Sequence, residues 1–345
     1  MNEDLLRQLC QANAIASHEG QVRRVLREYG SPFCDSVATD GLGSLIFTQE
    51  GEGPVVMVAA HMDEVGFMVR TISDLGLLTV MPIGSVRVFS RLMQEVVVTT
   101  EDGSEYFGIL NGEYDKEAGE VKNLYVDLGQ DSREQVEAMG VQAGDMITFA
   151  SSFREYPGGR LAAKALDDRA GCYVMAEAMR RMSGQAHPNR ICYAATSSEE
   201  VGTRGGKTAA HVIQPDLCIV LDVACHNNEW VRNHTNCRQI GKGVMLEHYD
   251  KTLVANRALV RRVRQTAKSL GLALQDDMLA GGGTDGGVIH MHGRGCPTVV
   301  LGIPLRYGHS PYSIGCRKDM EDGVTLLCGL LASWDETVLN EAGGD

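Results

Sequence analysis

Continuous apolar runs alternate along the chain with segments in which apolar residues recur at helical spacing. A short run without a polar face is typical of a strand buried on both sides of a parallel sheet. The predicted strands are residues 45–48, 54–60, 191–196, 217–223 and 297–302. The predicted helices are two amphipathic pieces within 1–29, the second capped by Ser17, and the segments 170–182, 207–213, 256–270 and 320–339. In helix 256–270 we expect Val260, Val263, Ala267 and Leu270 to face inward. This alternation predicts an α/β fold with a mostly parallel sheet covered by helices on both faces.

The middle of the chain has a different pattern. Short β-type runs follow one another, separated by turn residues such as Glu101-Asp102-Gly103. This spacing is typical of a small barrel or sandwich. The predicted strands are 77–81, 86–89, 95–100, 107–110, 123–128 and 145–150, with one helix at 132–139. We therefore predict one α/β domain formed by 1–68 and 160–345, and an inserted, barrel-like β-rich domain at 69–159.

Composition and charge exclude several classes of partner. The chain has 345 residues, a net charge of −13 and a pI near 5.3, which argues against nucleic acid or an anionic membrane surface. No apolar stretch approaches the roughly 20 residues of a membrane span. Glu3 and Asp4 stand where a signal peptide would carry basic residues. The ten cysteines are scattered without a C-x-x-C pair, which favours reduced thiols. We expect a cytoplasmic protein.

Titratable residues stand at, or just beyond, the ends of predicted sheet strands at five sites. Ligand sites of open α/β sheets lie outside the carboxyl ends of the strands, so residues far apart in sequence can converge there. The candidates are His61 with Asp63, Asp167 with Asp168, Glu199 with Glu200, Asp222, and His309. Histidines and carboxylates together suit Zn, Mn or Co. Their number favours two ions bridged by a carboxylate and a water.

Each candidate also has a simpler explanation. The adjacent carboxylates of Glu199 and Glu200 repel each other, but solvent in an acidic loop can offset this as well as a metal can. Asp167 and Asp168 precede a helix and could cap it. A histidine after a strand is usually a hydrogen-bonded polar group. Asp222 is harder to explain, because an ionised carboxylate inside an apolar strand is costly unless it is paired.

Five short stretches resemble the motifs of one family, in the same order and over nearly the whole chain. The stretches are His61-Met62-Asp63-Glu64-Val65-Gly66, Lys164-Ala165-Leu166-Asp167-Asp168-Arg169, Ser198-Glu199-Glu200-Val201-Gly202, Leu221-Asp222 and Tyr307-Gly308-His309-Ser310. They are similar to those of the tetrahedral, or TET-type, aminopeptidases, which are dinuclear metallopeptidases related to glutamyl aminopeptidases.

The resemblance implies a role for each residue. Asp167 would bridge two divalent ions (Zn, Co or Mn), with His61 and Asp222 completing one site and Glu200 and His309 the other. Glu199 would be the general base toward a metal-bridging water, and Asp63 would orient the His61 imidazole. The residues alone do not decide which of Glu199 and Glu200 binds metal.

The resemblance also implies a substrate and an assembly. The substrates would be short peptides with a free N-terminus, and the inserted domain would mediate dimerisation, with dimers assembling into dodecamers. Two segments depart from the family pattern, 224–230 and Tyr312-Ser313, and both bear on the choice of substrate side chain. The stretch 281–287 matches a family loop that is either substrate-lining or a plain turn, and it lacks the lysine of a phosphate-binding loop.

Two other functions are compatible with these residues. Paired carboxylates also cleave glycosides, in a reaction that needs no metal. A metal-binding assembly protein without catalysis would carry the same ligands. Persistence of activity in chelator would favour the glycosidase, and bound metal without peptide turnover would favour the assembly protein. We predict a metal-dependent aminopeptidase.

Overall fold

The computed structural model describes residues 1–225, 238–279 and 281–344. The helices are α1 (Glu3–Gln11), α2 (Gly20–Gly30), α3 (Arg133–Ala138), α4 (Leu166–Met182), α5 (Arg204–Ile213), α6 (Arg257–Ser269), α7 (Gly286–Ile289), α8 (Arg317–Leu331) and α9 (Glu336–Gly344). The strands are β1 (Ser36–Thr39), β2 (Leu45–Gln49), β3 (Val55–His61), β4 (Gly66–Ile72), β5 (Leu78–Ile83), β6 (Gln94–Thr99), β7 (Glu105–Asp115), β8 (Glu120–Asp127), β9 (Met146–Phe149), β10 (Arg154–Tyr156), β11 (Arg160–Ala163), β12 (Arg190–Thr196), β13 (Leu217–Cys225), β14 (Val244–Tyr249), β15 (Leu274–Met278), β16 (Thr298–Leu305) and β17 (Ser313–Cys316).

The largest sheet has the strand order β1-β2-β12-β3-β13-β16-β14-β15. Its centre, β12-β3-β13-β16, is parallel, and β14 runs parallel to β15 but antiparallel to β16. The parallel strands end at one edge of the sheet. His61 pairs there with Thr196, and Asp222 pairs with Gly302. The predicted mostly parallel sheet is confirmed.

Helices cover both faces of this sheet, as predicted. Along β3, Val56, Val58 and Ala60 pack into one core, which helices α1, α2, α4, α6, α8 and α9 complete. Met57 and Ala59, which point the other way, pack into a second core with α5 and α7. Alternate side chains of a strand face opposite sides of a sheet, so a strand buried on both sides has no polar positions. None of the helices within the described ranges combines the length and apolar character needed to cross a lipid bilayer.

Strands β4 to β9 close into a separate barrel in the order β4-β5-β8-β7-β6-β9. The barrel has its own apolar core, which includes Phe67, Val96 and Phe149, and Val136 of α3 packs into it. A third sheet, β10-β11-β17, lies beyond the barrel in sequence. The barrel-like insertion is confirmed, whereas the boundaries 69 and 159 and its role in dimerisation stay predictions.

Several local predictions were wrong. Residues 86–89 do not form a strand, and Val88–Arg91 is a 3-10 helix instead. The backbone N–H of Arg87 donates to the carbonyl of His309, so this segment contacts the large domain as well as the barrel, whose core includes Val86. Ser17 does not cap α2, because it has a φ of 68° and α2 begins at Gly20.

Two helix predictions at the C-terminal side were also imperfect. The predicted helix 320–339 is two helices, α8 and α9, separated at residues 332–335, where Trp334 is buried. In α6, Val263 and Ala267 face the core as expected, whereas Leu270 is 42% exposed. Leu270 follows the last residue of α6, where the helical periodicity no longer fixes the direction of the side chain.

A buried ionic cluster joins the end of β3 to α4. The carboxylate of Glu64 lies 2.5 Å from Nζ of Lys164 and 3.3 Å from the guanidinium of Arg169, and all three residues are buried. Lys164 and Arg169 also donate to the carbonyl of Ala12. The cluster therefore fixes the segments that carry His61 and Asp167 relative to each other.

We predict that Glu64→Gln destabilises the protein by about 3–5 kcal/mol, because it leaves two buried cations without their anion. Midpoints of denaturant unfolding followed by tryptophan fluorescence would measure the loss. The matched control is Glu50→Gln, which removes an exposed ion pair with Arg190 and should cost less than about 1 kcal/mol. Equal midpoints for the two variants would contradict the prediction.

Candidate metal centre

The predicted site residues converge at the carboxyl edge of the large sheet. His61 is the last residue of β3, and Asp222 lies in the second half of β13. Glu199 and Glu200 follow β12, and His309 follows β16. A further residue, Asp167, comes from the start of α4, directly after β11 of the small sheet. The expectation that strand ends bring these residues together is met, with one contribution from a helix start.

Two groups of ligand atoms share one carboxylate. His61, Asp167 and Asp222 form the first group, and Asp167, Glu200 and His309 form the second; within each group the ligand atoms lie within 4.8 Å of one another. The two oxygens of Asp167 point to different histidines: Oδ1 lies 3.3 Å from Nε2 of His61, and Oδ2 lies 3.2 Å from Nε2 of His309. This is the arrangement a carboxylate needs to bridge two cations.

Burying these titratable groups together shifts their pKa values. Burial raises the pKa of Asp222 to about 8, and it raises the pKa of Glu200 above its usual range. Burial opposes the charged form of His309, but the carboxylates of Glu200 and Asp167 raise its pKa to about 11. Protons and imidazolium charge thus offset the repulsion, and divalent cations would offset it in their place.

Asp63 supports the centre in a different way from the one predicted. The ring nitrogen Nδ1 of His61 lies 3.0 Å from the backbone carbonyl of Asp63, whereas the Asp63 carboxylate is 3.5 Å away. The carboxylate instead accepts the backbone N–H groups of Glu199, at 2.9 Å, and Glu200, at 3.1 Å. Asp63 is fully buried. It therefore orients both the imidazole and the turn that carries the two glutamates.

Asp168 is also a supporting residue. Its carboxylate is fully buried and accepts the backbone N–H of His61 at 3.2 Å and that of Gly171 at 3.0 Å. The second bond is the helix-capping contact considered above. Asp168 belongs to neither ligand group, so its contacts fix the backbone of β3 and α4 around the centre.

The barrel contributes directly to the surroundings of His309. Nδ1 of His309 lies 3.1 Å from the carbonyl oxygen of Ser85. In the same segment, Nε of Arg87 donates to the carbonyl of Gly308 at 2.8 Å. Gly84 has a φ of 75°, and a Cβ there would meet the side chains of Val65 and Glu200. The segment between β5 and β6 therefore fits closely against the centre.

Both ligand groups open into one cavity of about 560 Å³. Glu199 lines this cavity but belongs to neither ligand group. Burial raises the pKa of Glu199 well above its usual range. Gly281, Gly282 and Gly283 line the same cavity, which favours the substrate-lining interpretation of this stretch over a plain turn.

Several cavity residues were missed by the sequence analysis. They are Glu247 of β14, Asp277 of β15 and Arg238. Neither strand was predicted, because polar residues interrupt its apolar pattern. The departures at 224–230 are only partly described: Cys225 lines the cavity, and residues 226–230 lie outside the described ranges. Ser313 lines a smaller cleft next to His309.

The donor set fits divalent metal ions. Oε1 of Glu200 is buried and accepts no hydrogen bond among the described residues, although it lies 3.4 Å from Nε2 of His309. Buried carboxylate oxygens normally have a partner, so this atom is suited to a cation. Imidazole nitrogens with carboxylate oxygens are typical ligands of Zn, Mn or Co.

Comparison with known proteins identifies the relatives of this chain. Residues 43–326 match the family model described as M42 glutamyl aminopeptidase. A lysyl aminopeptidase of Pyrococcus furiosus is 31% identical over 338 residues, which cover 95% of this chain and 96% of that protein.

Solved structures show the same similarity. A TET aminopeptidase from a marine sediment thaumarchaeon is 36% identical, with a TM-score of 0.93 and 98% coverage of both chains. The TET1 peptidase of Pyrococcus horikoshii, described as assembling into a tetrahedron or a large octahedral shell, is 26% identical, with a TM-score of 0.86 and coverage of 96% of this chain and 99% of that one.

We predict that Asp167→Asn removes nearly all bound divalent metal, because both ligand groups lose their shared carboxylate. Asp222→Asn changes one ligand group only and should leave part of the metal bound. Elemental analysis of protein dialysed against Co²⁺ would measure the stoichiometry. Asp74→Asn, the same change at an exposed barrel carboxylate, is the control. Equal metal content in the Asp167 and Asp222 variants would contradict the shared position of Asp167.

Proposed function

The chain belongs to the M42 glutamyl aminopeptidase family, and we propose that it is a dinuclear metal-dependent aminopeptidase that releases the N-terminal residue of unblocked peptides. The observation that carries the proposal is the pair of ligand groups sharing Asp167 at the wall of a cavity large enough for an amino-acid side chain.

The residues that would hold the two ions are those of the two ligand groups. His61 and Asp222 would complete one position, Glu200 and His309 the other, and Asp167 would serve both. Two divalent ions bound there would polarise the scissile carbonyl and lower the pKa of a water between them.

Glu199 is proposed as the general base. Its carboxylate would accept a proton from the attacking water and donate it to the amine that leaves. Two features support this role: Glu199 lines the cavity without joining a ligand group, and Asp63 holds its backbone N–H. The adjacent Glu200 has the buried oxygen that suits a metal ligand. The different surroundings of the two glutamates support this division of roles.

A free amino group is the feature of the substrate that the site is proposed to recognise. A neutral amine can coordinate a metal ion, and an ammonium group can pair with one of the cavity carboxylates. Acetylation removes both interactions, so blocked peptides should be poor substrates. The names of relatives do not decide the preferred residue, because the family is described as glutamyl and one relative as lysyl.

We predict that Glu199→Gln lowers kcat for aminoacyl anilides by about 10²- to 10⁴-fold, the range that a general base contributes, while metal content stays at the wild-type level. Steady-state hydrolysis together with elemental analysis would measure both quantities. Full activity in this variant would remove Glu199 from the mechanism.

Two controls separate the proposal from its alternatives. Glu200→Gln should lose metal together with activity, in contrast to Glu199→Gln. Treatment with chelator should abolish hydrolysis, and added Co²⁺ or Zn²⁺ should restore it. Glycoside cleavage that persists in chelator would favour the glycosidase. Bound metal without turnover of any anilide or peptide would favour the non-catalytic assembly protein.

The barrel is proposed to mediate self-association. Phe89, Met93 and Phe107 are between 65% and 75% exposed, and Phe89 stacks with Tyr114 at a ring distance of 5.8 Å. Aromatic and methionine side chains are enriched at protein interfaces. Assembly of a related TET peptidase into closed shells supports a homo-oligomer for this chain, from a dimer up to a dodecamer.

We predict that the double variant Phe89→Ser and Phe107→Ser shifts the protein toward smaller species in sedimentation velocity, because the interface loses its apolar area. Leu75→Ser, which changes a 71% exposed barrel residue between β4 and β5, is the matched control. A monomeric wild-type protein, or a double variant that assembles like the control, would contradict the proposed interface.

A further inference from the structure

A second group of acidic side chains lines the cavity away from the candidate metal ligands. Glu247 of β14 and Asp277 of β15 are paired in register on neighbouring parallel strands. Both are nine-tenths buried, with exposed fractions of 5% and 6%, and both line the cavity into which the metal ligands open. They belong to neither ligand group at Asp167.

Within the described ranges, each of these two carboxylates has one oxygen that lacks a hydrogen-bond partner. Oε1 of Glu247 and Oδ2 of Asp277 are buried and accept no hydrogen bond from the described residues. The other oxygen of Asp277 accepts from Nε of Arg238 at 2.8 Å, and Arg238 also donates to the carbonyl of Cys225. Because buried acceptors are costly to leave unpaired, the two free oxygens indicate a missing donor.

The charge around these oxygens is negative. Asp250 lies near Glu247, and its Oδ1 accepts the backbone N–H of Leu253 at 2.7 Å. Burial, together with the charges of Asp250, Asp222 and Asp277, raises the pKa of Glu247 to about 9. Arg238 neutralises one of the three carboxylates Glu247, Asp250 and Asp277. Arg87 lines the cavity as well, but it donates to Gly308 beside His309.

The missing donor is better explained by an organic cation than by a third metal ion. Among the described residues, groups of three or more close ligand atoms occur only at Asp167, and neither of those includes Glu247 or Asp277. Two carboxylate oxygens suit the several N–H donors of an ammonium or guanidinium group. Leu279 and the glycines 281–283 complete this part of the wall and leave room for a methylene chain.

The position of the pair relative to the metal centre fits a long side chain. Asp222 pairs with Gly302, and Gly302 pairs with Met245, two residues before Glu247. Register partners and residues two apart face the same side of a sheet, so Asp222 and Glu247 share one face. Strand spacing and rise per residue put their Cα atoms about 12 Å apart.

We propose that Glu247 and Asp277 form the specificity pocket for the substrate's first residue, and that this residue is lysine or arginine. The inference rests on the proposed function, because a free N-terminus near the metal ligands would direct the first side chain along this face. The terminal ammonium or guanidinium donates to Oε1 of Glu247 and Oδ2 of Asp277, and the methylenes lie against Leu279 and the glycine loop.

The test compares substrates that differ only at the end of the side chain. Lysyl and norleucyl anilides have side chains of similar length, but norleucine lacks the ammonium group. With the metal-loaded wild-type oligomer, kcat/KM should be about 10- to 100-fold higher for the lysyl and arginyl anilides than for norleucyl, leucyl and glutamyl anilides, as expected for charge-assisted hydrogen bonds. Equal values for lysine and norleucine, or a preference for glutamate, would overturn the proposal without any variant.

Variants then assign the preference to the two carboxylates. Glu247→Gln and Asp277→Asn should lower the lysyl-to-norleucyl ratio of kcat/KM about 10-fold or more. Asp276→Asn changes the neighbouring carboxylate, whose side chain is exposed and pairs with Arg264, and should keep the wild-type ratio. An unchanged ratio in Glu247→Gln would overturn the proposal.

Failure of the pocket and failure of the proposed function give different results. If no anilide is hydrolysed by the metal-loaded protein, the aminopeptidase assignment itself fails. If anilides are hydrolysed without a preference for basic residues, the assignment stands and the specificity inference fails.

Discussion

Repulsion between carboxylates at the carboxyl edge of the sheet is the constraint on which the site depends. Asp167, Asp222 and Glu200 lie close together, and their side chains are largely shielded from water, a setting in which like charges interact strongly. Within the two ligand groups, only the imidazoles of His61 and His309 can supply positive charge to offset the carboxylates. A fold that kept this arrangement without a cation would hold protons at raised pKa values instead, as Asp222 and His309 do. The site is therefore organised for positive charge to be supplied from outside the chain.

The residues behind the ligands counter this repulsion by holding the backbone in place. The Asp63 carboxylate accepts two consecutive backbone N–H groups, those of Glu199 and Glu200. The Asp168 carboxylate accepts one backbone N–H from β3 and one from α4. Glu64 ties the two chain segments together through buried cations. These contacts use the strong hydrogen-bond capacity of buried carboxylates, so acidic residues near the centre are divided between ligands and supports.

Much of the fold and of the candidate site could be predicted from the sequence. The rest depends on strands without a clear apolar pattern and on backbone atoms, which the sequence does not reveal. Apolar strands that end in His61 or contain Asp222 indicate both the sheet and its functional edge, because a polar residue there breaks a strong pattern. The strand that carries Glu247 lacks such a pattern, and Asp277 lies in Leu274-Gln275-Asp276-Asp277-Met278, which is mostly polar. The carbonyl oxygens of Asp63 and Ser85, which face the two histidines, have no signature in the amino-acid sequence at all.

The contact between Ser85 and His309 has a consequence for the modularity of the fold. A domain inserted into a loop can usually be removed or exchanged if its host is complete without it. Here the insertion orients a residue of the host's candidate centre, and Gly84 allows the close approach. A chimaera that carried a foreign barrel would have to reproduce one backbone oxygen within hydrogen-bonding distance of that imidazole. Host and insertion are therefore expected to evolve as one unit rather than as interchangeable parts.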